Sequence, residues 1–359
     1  MQERVRIAVI GAGWWATATH MPALREHAGA ELAAVCDVNL ERARSAAEAY
    51  GVERVYTDHC ALLANEPLDA AVVATTHATH FAVARDCLKA GLHVLIEKPM
   101  TLLARDARAL IEAAAHVGKS ILLGYPWNYA PHTREVYAEL ASGRLGPIQS
   151  VQSVFNSYNA DLIGGRDRSD KGGYRVHGPG DVYSRKEHSG GGHGHLQMTH
   201  AAGLLFFVTG LRAKSVQARM ANHGLPLDLV DAMLVEYEGG ALGTISGTSN
   251  AFLSESRLSI GCASGSISMD VSARSTTLCR VNGERTVLPP GNGADLSTAP
   301  IRNLVGVALG LEEPAFPAEV GWRAVELLDA AYRSAESDGR AVHIHELYPP
   351  VLPEVMGPA

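Results

Sequence analysis

The stretch Val5-Arg6-Ile7-Ala8-Val9-Ile10-Gly11-Ala12-Gly13-Trp14-Trp15-Ala16 decides how this chain folds. Val5–Ile10 is a short, nearly continuous apolar run, the pattern of a parallel strand buried on both faces. Gly11-Ala12-Gly13 follows at once and leads through Trp14 and Trp15 into a helical pattern. A second apolar run, Glu31-Leu32-Ala33-Ala34-Val35-Cys36, stops at an acid, Asp37. Strand, glycine turn, helix N-terminus and a second strand closed by an acid make a dinucleotide cradle. Gly11 permits the turn, and Gly13 lets backbone N–H groups approach a pyrophosphate whose charge the helix N-terminus favours. Ala16 stands where a third glycine is common and is small enough for helix and strand to pack. Asp37 accepts hydrogen bonds from an adenosine ribose and repels a 2′-phosphate. The following Val38-Asn39 brings no cation to hold one. The expected cofactor is NAD, met by Gly11, Gly13, Trp14, Trp15, Asp37 and Asn39.

Composition narrows the class. The 359 residues are 47% hydrophobic and 19% charged, enough for two cored domains and too ordinary for disorder. A net charge of −7 with no block of basic residues argues against nucleic acid as a partner. The apolar runs are strand-length or broken by His, Thr and Gly, so no membrane span is expected. Met1-Gln2-Glu3-Arg4 runs straight into the first strand, so no signal peptide is expected. Cys36, Cys60, Cys87, Cys262 and Cys279 are scattered, odd in number and without Cys-x-x-Cys spacing. Reduced thiols in a cytoplasmic protein are the expectation.

Past Asp37, helix patterns at Leu40–Tyr50, His77–Ala90 and Leu102–Val117 alternate with strands at Asp69–Thr75, Leu92–Ile96 and Ser120–Tyr125. Such alternation requires a parallel sheet with helices on both faces. Residues 1–125 are therefore expected to form a doubly wound Rossmann domain in an α/β fold. The pattern changes after Tyr125. A long strand, Ile148–Tyr158, is followed from Ala213 by short strands, with Glu238-Gly239-Gly240 as a hairpin turn. Residues 126–359 are expected to be an α+β domain with a large, mostly antiparallel open sheet. Helices near Arg302–Leu311 and Glu319–Ser334 close it.

Ligands of a doubly wound sheet lie beyond the carboxyl ends of its strands. After Asp37, three such ends are polar: Thr75-Thr76-His77 with His80, Glu97-Lys98-Pro99, and Tyr125-Pro126-Trp127-Asn128-Tyr129. Lys98 would stand in the cofactor crevice, where desolvation and the positive nicotinamide lower its pKa toward the working range. It can then hydrogen-bond a substrate hydroxyl and help withdraw its proton as hydride leaves carbon. A solvated surface lysine is the plain alternative. A second cluster, Gly190-Gly191-Gly192-His193-Gly194-His195-Leu196-Gln197-Met198-Thr199-His200, opens an apolar helical run. His193, Gln197 and His200 share one face if the helix begins near His193. His195 then points elsewhere, and no acid or cysteine lies in the segment, so no metal site is expected.

These motifs resemble the glucose–fructose oxidoreductase and inositol dehydrogenase family, called Gfo/Idh/MocA. The resemblance runs over nearly the whole chain. It rests on Gly11–Ala16, Glu97-Lys98-Pro99, Gly143-Arg144-Leu145-Gly146-Pro147 and the glycine-rich helix ending in His200. It implies a Rossmann domain followed by a mostly antiparallel sheet whose open face forms homo-oligomers, dimers or tetramers. It also implies hydride exchange at a sugar or cyclitol carbon, with Lys98 and His200 at the reacting hydroxyl. Glu97 would lie near the nicotinamide ribose, with Thr75 and His80 on the cofactor side. Tyr125, Trp127, His193 and Gln197 would line the substrate. Three positions depart from the family pattern. Leu196 replaces an acid four residues before the histidine, with Gln197 as a substitute. Thr76-His77 replaces Pro-Asn, and Asn128 stands in place of an arginine. These leave the identity of the proton acceptor open.

From about Asn159 to Ser189 the chain is irregular and rich in glycine. Loops of that length inside a compact domain are functional or disordered. Arg166, Lys171 and Arg175, beside His177, can converge on a carboxylate, phosphate or sulfonate. A solvated loop is the alternative, since nearby acids almost balance these cations. With an anion-binding loop the chain resembles the NAD-dependent sulfoquinovosidases. Those enzymes oxidise a glycoside ring hydroxyl, eliminate the aglycone, add water and reduce the ketone again. The expected function is NAD-dependent sugar oxidation serving hydrolysis of an anionic glycoside. The alternative is a simple sugar or cyclitol dehydrogenase.

Overall fold

The computed structural model describes residues 4–166, 176–289 and 296–348. Its first sheet contains β1 (Val5–Ile10), β2 (Ala30–Cys36), β3 (Arg54–Tyr56), β4 (Ala70–Val73), β5 (His93–Ile96) and β6 (Ile121–Leu123). The order is β3-β2-β1-β4-β5-β6, and every pairing is parallel. The order in which the chain adds strands reverses between β1 and β4, so a ligand crevice opens beyond Ile10, Cys36 and Val73. Five helices accompany these strands: α1 (Met21–Glu26), α2 (Leu40–Tyr50), α3 (His59–Asn65), α4 (His80–Lys89) and α5 (Ala104–Val117). Because they lie on both faces, β1 and β4 are buried at almost every residue. Gly51 and Gly118 end α2 and α5 in the left-handed conformation.

After β6, α6 (Pro131–Ala141) leads into β7 (Ile148–Tyr158). Two short helices, α7 (Ala160–Ile163) and α8 (Lys186–Ser189), follow β7, and α9 (Thr199–Thr209) follows the glycine run. The second sheet adds β8 (Ala213–Ala221), β9 (Val230–Tyr237), β10 (Leu242–Thr248) and β11 (Asn250–Cys262). It continues through β12 (Gly265–Asp270), β13 (Ser275–Arg280) and β14 (Arg285–Leu288), and β15 (Val342–His343) completes it. Its nine strands run in the order β14-β13-β12-β11-β7-β10-β9-β8-β15. All pair antiparallel except β10 with β7. The expected architecture of two sheets is therefore present.

Inward positions of the second sheet alternate with outward ones. Met233, Val235 and Tyr237 of β9 are buried, while Ala232 and Leu234 face out. The inner face packs against α9 and α11 (Glu319–Glu336). Just before α11, α10 (Ala299–Ala308) returns to the first sheet. Its Ile301, Leu304 and Val305 share a core with Val5, Ile7, Val9 and Leu122. A boundary after residue 125 thus separates the two sheets but leaves the first core short of a helix. Among the described residues, no helix is long and apolar enough to cross a membrane.

Candidate active site

The glycine turn is shaped as its residues require. Gly11 has φ +96°, and a Cβ there would lie 2.4 Å from Ala74 O, so only glycine fits. A Cβ on Gly13 would meet nothing within 4 Å. That open space above the helix start suits a pyrophosphate. Asp37, buried at the end of β2, accepts from Ala12 N and from Asn39 N, each at 2.9 Å. Its carboxylate ties the turn to the second strand. Asn39 is spent on α2, where its side chain accepts from Arg42 N at 3.0 Å as the N-cap. Arg42 also stands 3.7 Å from Asp37, a cation next to the ribose position that Val38-Asn39 did not reveal.

Glu97 gathers the groups beyond this turn. Trp15 Nε1 donates to its Oε1 at 2.9 Å, and His20 Nε2 lies 2.9 Å from the same oxygen. Lys98 N donates to Oε2 at 3.1 Å. A Cβ on Gly124 would come within 2.6 Å of Oε1, so that glycine makes the room. Burial would push the Glu97 pKa up, but His20 and Lys98 outweigh it and hold the carboxylate low. His20 carries no signal in the sequence pattern. It reaches Glu97 because Ala16–His20 is a π-helical turn, which aligns residues five apart.

Lys98 Nζ donates to Leu196 O at 2.9 Å. Burial lowers its pKa, opposed only in part by the charge of Glu97. His80, expected on the cofactor, turns inward instead. Its Nδ1 lies 2.8 Å from Pro99 O and its Nε2 3.2 Å from Thr75 O, so it pins the Lys98-Pro99 turn to the end of β4. The Thr75 hydroxyl accepts from Thr79 at 2.8 Å.

A second π-helical turn, Gly194–Met198, precedes α9. Leu196 occupies the position of the missing acid, and its backbone oxygen is what holds Lys98. His200 sits among Trp127, Tyr125 and Phe155, with ring centres 5.3, 6.2 and 6.4 Å away. Burial, then the Lys98 charge, holds its pKa well below the usual histidine range. Its Nδ1 is buried without a partner. His193 lies across Phe155, 6.4 Å between rings, with Nδ1 2.7 Å from Ser249 Oγ. Burial pushes it down to about 4. Gln197 is half-buried on the same segment. His195 turns away to stack on Tyr332 at 4.4 Å. Tyr125 departs from the expectation of a substrate contact. It is 1% exposed, its hydroxyl lies 2.9 Å from Thr199 Oγ1, and its ring fills the space over Gly203. It locks β6 to α9 and leaves half-buried Trp127 as the more open aromatic.

The long loop is described at its two ends. Arg166 is largely exposed and pairs with Asp161 at 3.4 Å. Lys171 and Arg175 lie outside the described residues. His177 Nε2 is buried without a partner, and Val176 packs on the first core. Trp14 Nε1 donates to Tyr183 Oη at 3.3 Å, and His77 Nδ1 lies 3.0 Å from Ser189 O. The far end of the loop therefore lies against the cradle at Trp14 and His77. Among the described residues, the one grouping with metal-ligating spacing is Asp58-His59-Cys60 at the start of α3, where Asp58 is the helix cap.

Residues 5–125 match the model of an oxidoreductase family with an NAD-binding Rossmann fold, and residues 133–268 match the Gfo/Idh/MocA C-terminal domain. The chain is similar to the D-apiose dehydrogenase of Paraburkholderia graminis, 34% identical over 144 residues, 40% of this chain and 38% of that protein. It is also similar to the D-glucoside 3-dehydrogenase of Escherichia coli, 32% identical over 144 residues, 40% and 41% of the two chains. The matched part thus spans less than half of either relative. In fold it is similar to an inositol dehydrogenase homolog from Azotobacter vinelandii complexed with NAD+. Identity there is 21% and the TM-score 0.79, covering 95% of this chain and 97% of that one. The glycine turn, the Glu97-Lys98-Pro99 strand end and both matched domains agree: this chain belongs to the Gfo/Idh/MocA oxidoreductase family.

Proposed function

We propose that this protein moves a hydride between NAD and a ring carbon of a sugar or cyclitol, within the redox-mediated hydrolysis of an anionic glycoside. The observation that carries the hydride step is the meeting of Lys98 with a neutral His200 whose Nδ1 has no partner. Gly11, Gly13, Trp14 and Asp37 would hold the dinucleotide, with Glu97 and Trp15 at its nicotinamide end. NAD supplies the hydride acceptor and donor when bound. Lys98 hydrogen-bonds the reacting hydroxyl, and the free nitrogen of His200 takes its proton as the carbon is oxidised. Trp127 and Phe155 offer an apolar wall to the C–H face of the ring.

His193 supports the hydrolytic outcome. A second neutral imidazole across Phe155 provides a further proton-transfer group, which one oxidation step does not need. It serves the proton removed from the acidified neighbouring carbon, before the aglycone leaves and water adds. Arg166, Lys171, Arg175 and His177 are assigned to the anionic substituent. A simple sugar or cyclitol dehydrogenase is the second reading, favoured by the names of the apiose and glucoside relatives. The five free cysteines fit a cytoplasmic enzyme.

Incubation with catalytic NAD+ and a chromogenic sulfoquinovoside separates the readings. Aglycone release without net NADH supports redox hydrolysis, and stoichiometric NADH supports a dehydrogenase. Neither signal across a panel of sugars and cyclitols would sink both.

A further inference from the structure

Gly191, Gly192 and Gly194 leave room for the Tyr332 side chain and the Asp228 backbone from elsewhere in the fold. A Cβ on Gly191 would lie 2.1 Å from Tyr332 Oη, one on Gly192 2.0 Å from Asp228 O, and one on Gly194 2.5 Å from Tyr332 Oη. Into that cradle Asp228 places three acceptors for consecutive N–H groups. Its Oδ1 takes Gly192 N at 2.7 Å, its backbone oxygen takes His193 N at 2.9 Å, and its Oδ2 takes Gly194 N at 2.9 Å. Tyr332 Oη donates to the same carboxylate, at 3.1 and 3.2 Å from its two oxygens. One remote acid thus caps the turn that starts the His193–His200 segment.

Beside it lies a carboxyl group with no visible means of support. Asp231 is 1% exposed, and both its oxygens are buried without a hydrogen-bond partner. It occupies an inward position of β9, in line with Met233 and Val235. Its neighbours across the sheet are Met220 of β8 and Gly247 of β10, which carry no charge. No donor reaches either oxygen among the described residues, and the charge that acts on them is that of Asp228. Two carboxylates cannot share a buried site, because each repels the other and neither is solvated. A protonated Asp231 resolves both problems by donating to Asp228.

We infer that Asp228 and Asp231 hold one proton between them, and that this acid–carboxylate pair positions His200 and the Leu196 oxygen that anchors Lys98. The catalytic consequence rests on the hydride reading above; the shared proton does not. Asp231 supplies the donor, and the two oxygens of Asp228 stay fixed on Gly192 and Gly194. The other titratable groups facing the pair are Tyr332 from α11 and His193 and His195 from the glycine run, while Lys186 of α8 acts on His195. Burial, then the charge of Asp228, raises the Asp231 pKa well above the ordinary carboxylate value. A group so raised lends its stability fully below the unfolded pKa and loses it as pH rises through the folded one.

The test uses the full chain. In the infrared spectrum at neutral pH, the wild type should show a protonated-carboxyl band that Asp231→Asn lacks. Asp231→Asn keeps a donor toward Asp228 at every pH, so it should hold the melting temperature near neutrality and flatten the fall toward alkaline pH. Asp231→Leu, which has no donor, should melt lower at all pH values. Asp228→Asn places an N–H against Gly192 or Gly194. It should cut kcat between about ten- and a hundredfold, with NAD affinity unchanged. Absence of the band, or an alkaline fall that persists in Asp231→Asn, overturns the shared proton. The band present with kcat unaltered in Asp228→Asn overturns the positioning role. Should no substrate turn over, hydrogen exchange decides that role: faster exchange of the Gly192–His200 amides in Asp228→Asn supports it, and unchanged exchange overturns it.

Discussion

Lys98 carries a charge that its surroundings resist. Burial depresses its pKa and Glu97 restores only part, so the free amine appears at lower pH than in an ordinary lysine with value 10.5. Rate should therefore fall as pH rises along a limb lying below the usual lysine range, as the ammonium that donates to the reacting hydroxyl is lost. Lys98→Arg, which stays protonated, should abolish that limb, and an unchanged pH profile would remove Lys98 from the chemistry. Lys98→Met should lower kcat on the order of 10²–10⁴-fold while NAD titration stays near wild type. Asp37 sets a different test. Its carboxylate repels a 2′-phosphate and engages Arg42 at 3.7 Å, so Asp37→Ser frees a guanidinium where that phosphate would sit. NADP should then gain on NAD in Asp37→Ser and not in the Asp37→Ser, Arg42→Ala double variant. At this scale position alone marks Lys98 and Asp37 as candidates in the sequence, each at a strand end, and these variants test them. Tyr125 and His80 depart from expectation, because whether a polar tip meets a ligand or the protein itself depends on packing partners elsewhere in the chain, Thr199 for Tyr125 and Pro99 for His80.

The elements most open to reading are those with a clean period. β1, β2, α2 and β7 stand within a residue or so of where hydrophobic pattern and caps put them. The two π-helical turns were not legible, since their pattern differs from an α-helix by a single residue. Each matters at the site: one brings His20 to Glu97 and the other presents Leu196 O to Lys98. The acid that the family places four residues before the histidine is absent, and a backbone carbonyl serves the lysine in its stead. Asp231 left a signal that alternation could have caught, a carboxyl in the inward register of an otherwise apolar strand. Gly192 tests the packing of this region. Because Gly192→Ala drives a Cβ into Asp228 O, which is backbone and cannot rotate away, it should destabilise the fold by on the order of 1–3 kcal/mol. A melting temperature equal to wild type would mean the turn is looser than its geometry.

Across the whole molecule, the inner face of the second sheet is sealed by α9 and α11, while the outer face has no covering element among the described residues. The register places Leu242 of β10 opposite Glu236, and Thr244 opposite Leu234 of β9; Thr244 in turn pairs with Gln152 of β7. Ser259 and Ser268 continue that row toward β12. Leu234 is 48% and Leu242 56% exposed on this face, beside Thr244, Gln152 and the Glu236–Lys214 pair. Such a face is flat enough for a second sheet to pack on it and too apolar at its centre to favour water. A stable self-complementary contact there would have to bury roughly 1,000 Å² or more. The protein should therefore be a dimer or tetramer in solution, as the resemblance to its family implied. Leu234→Lys with Leu242→Lys should give monomers by light scattering, since lysines repel across an isologous contact. Lys98, His200 and the cradle lie on the opposite side of this sheet, so NAD binding should survive the change. A wild-type chain that is monomeric at micromolar concentration would refute the interface, and lost NAD binding in the monomer would show that the outer face reaches the site.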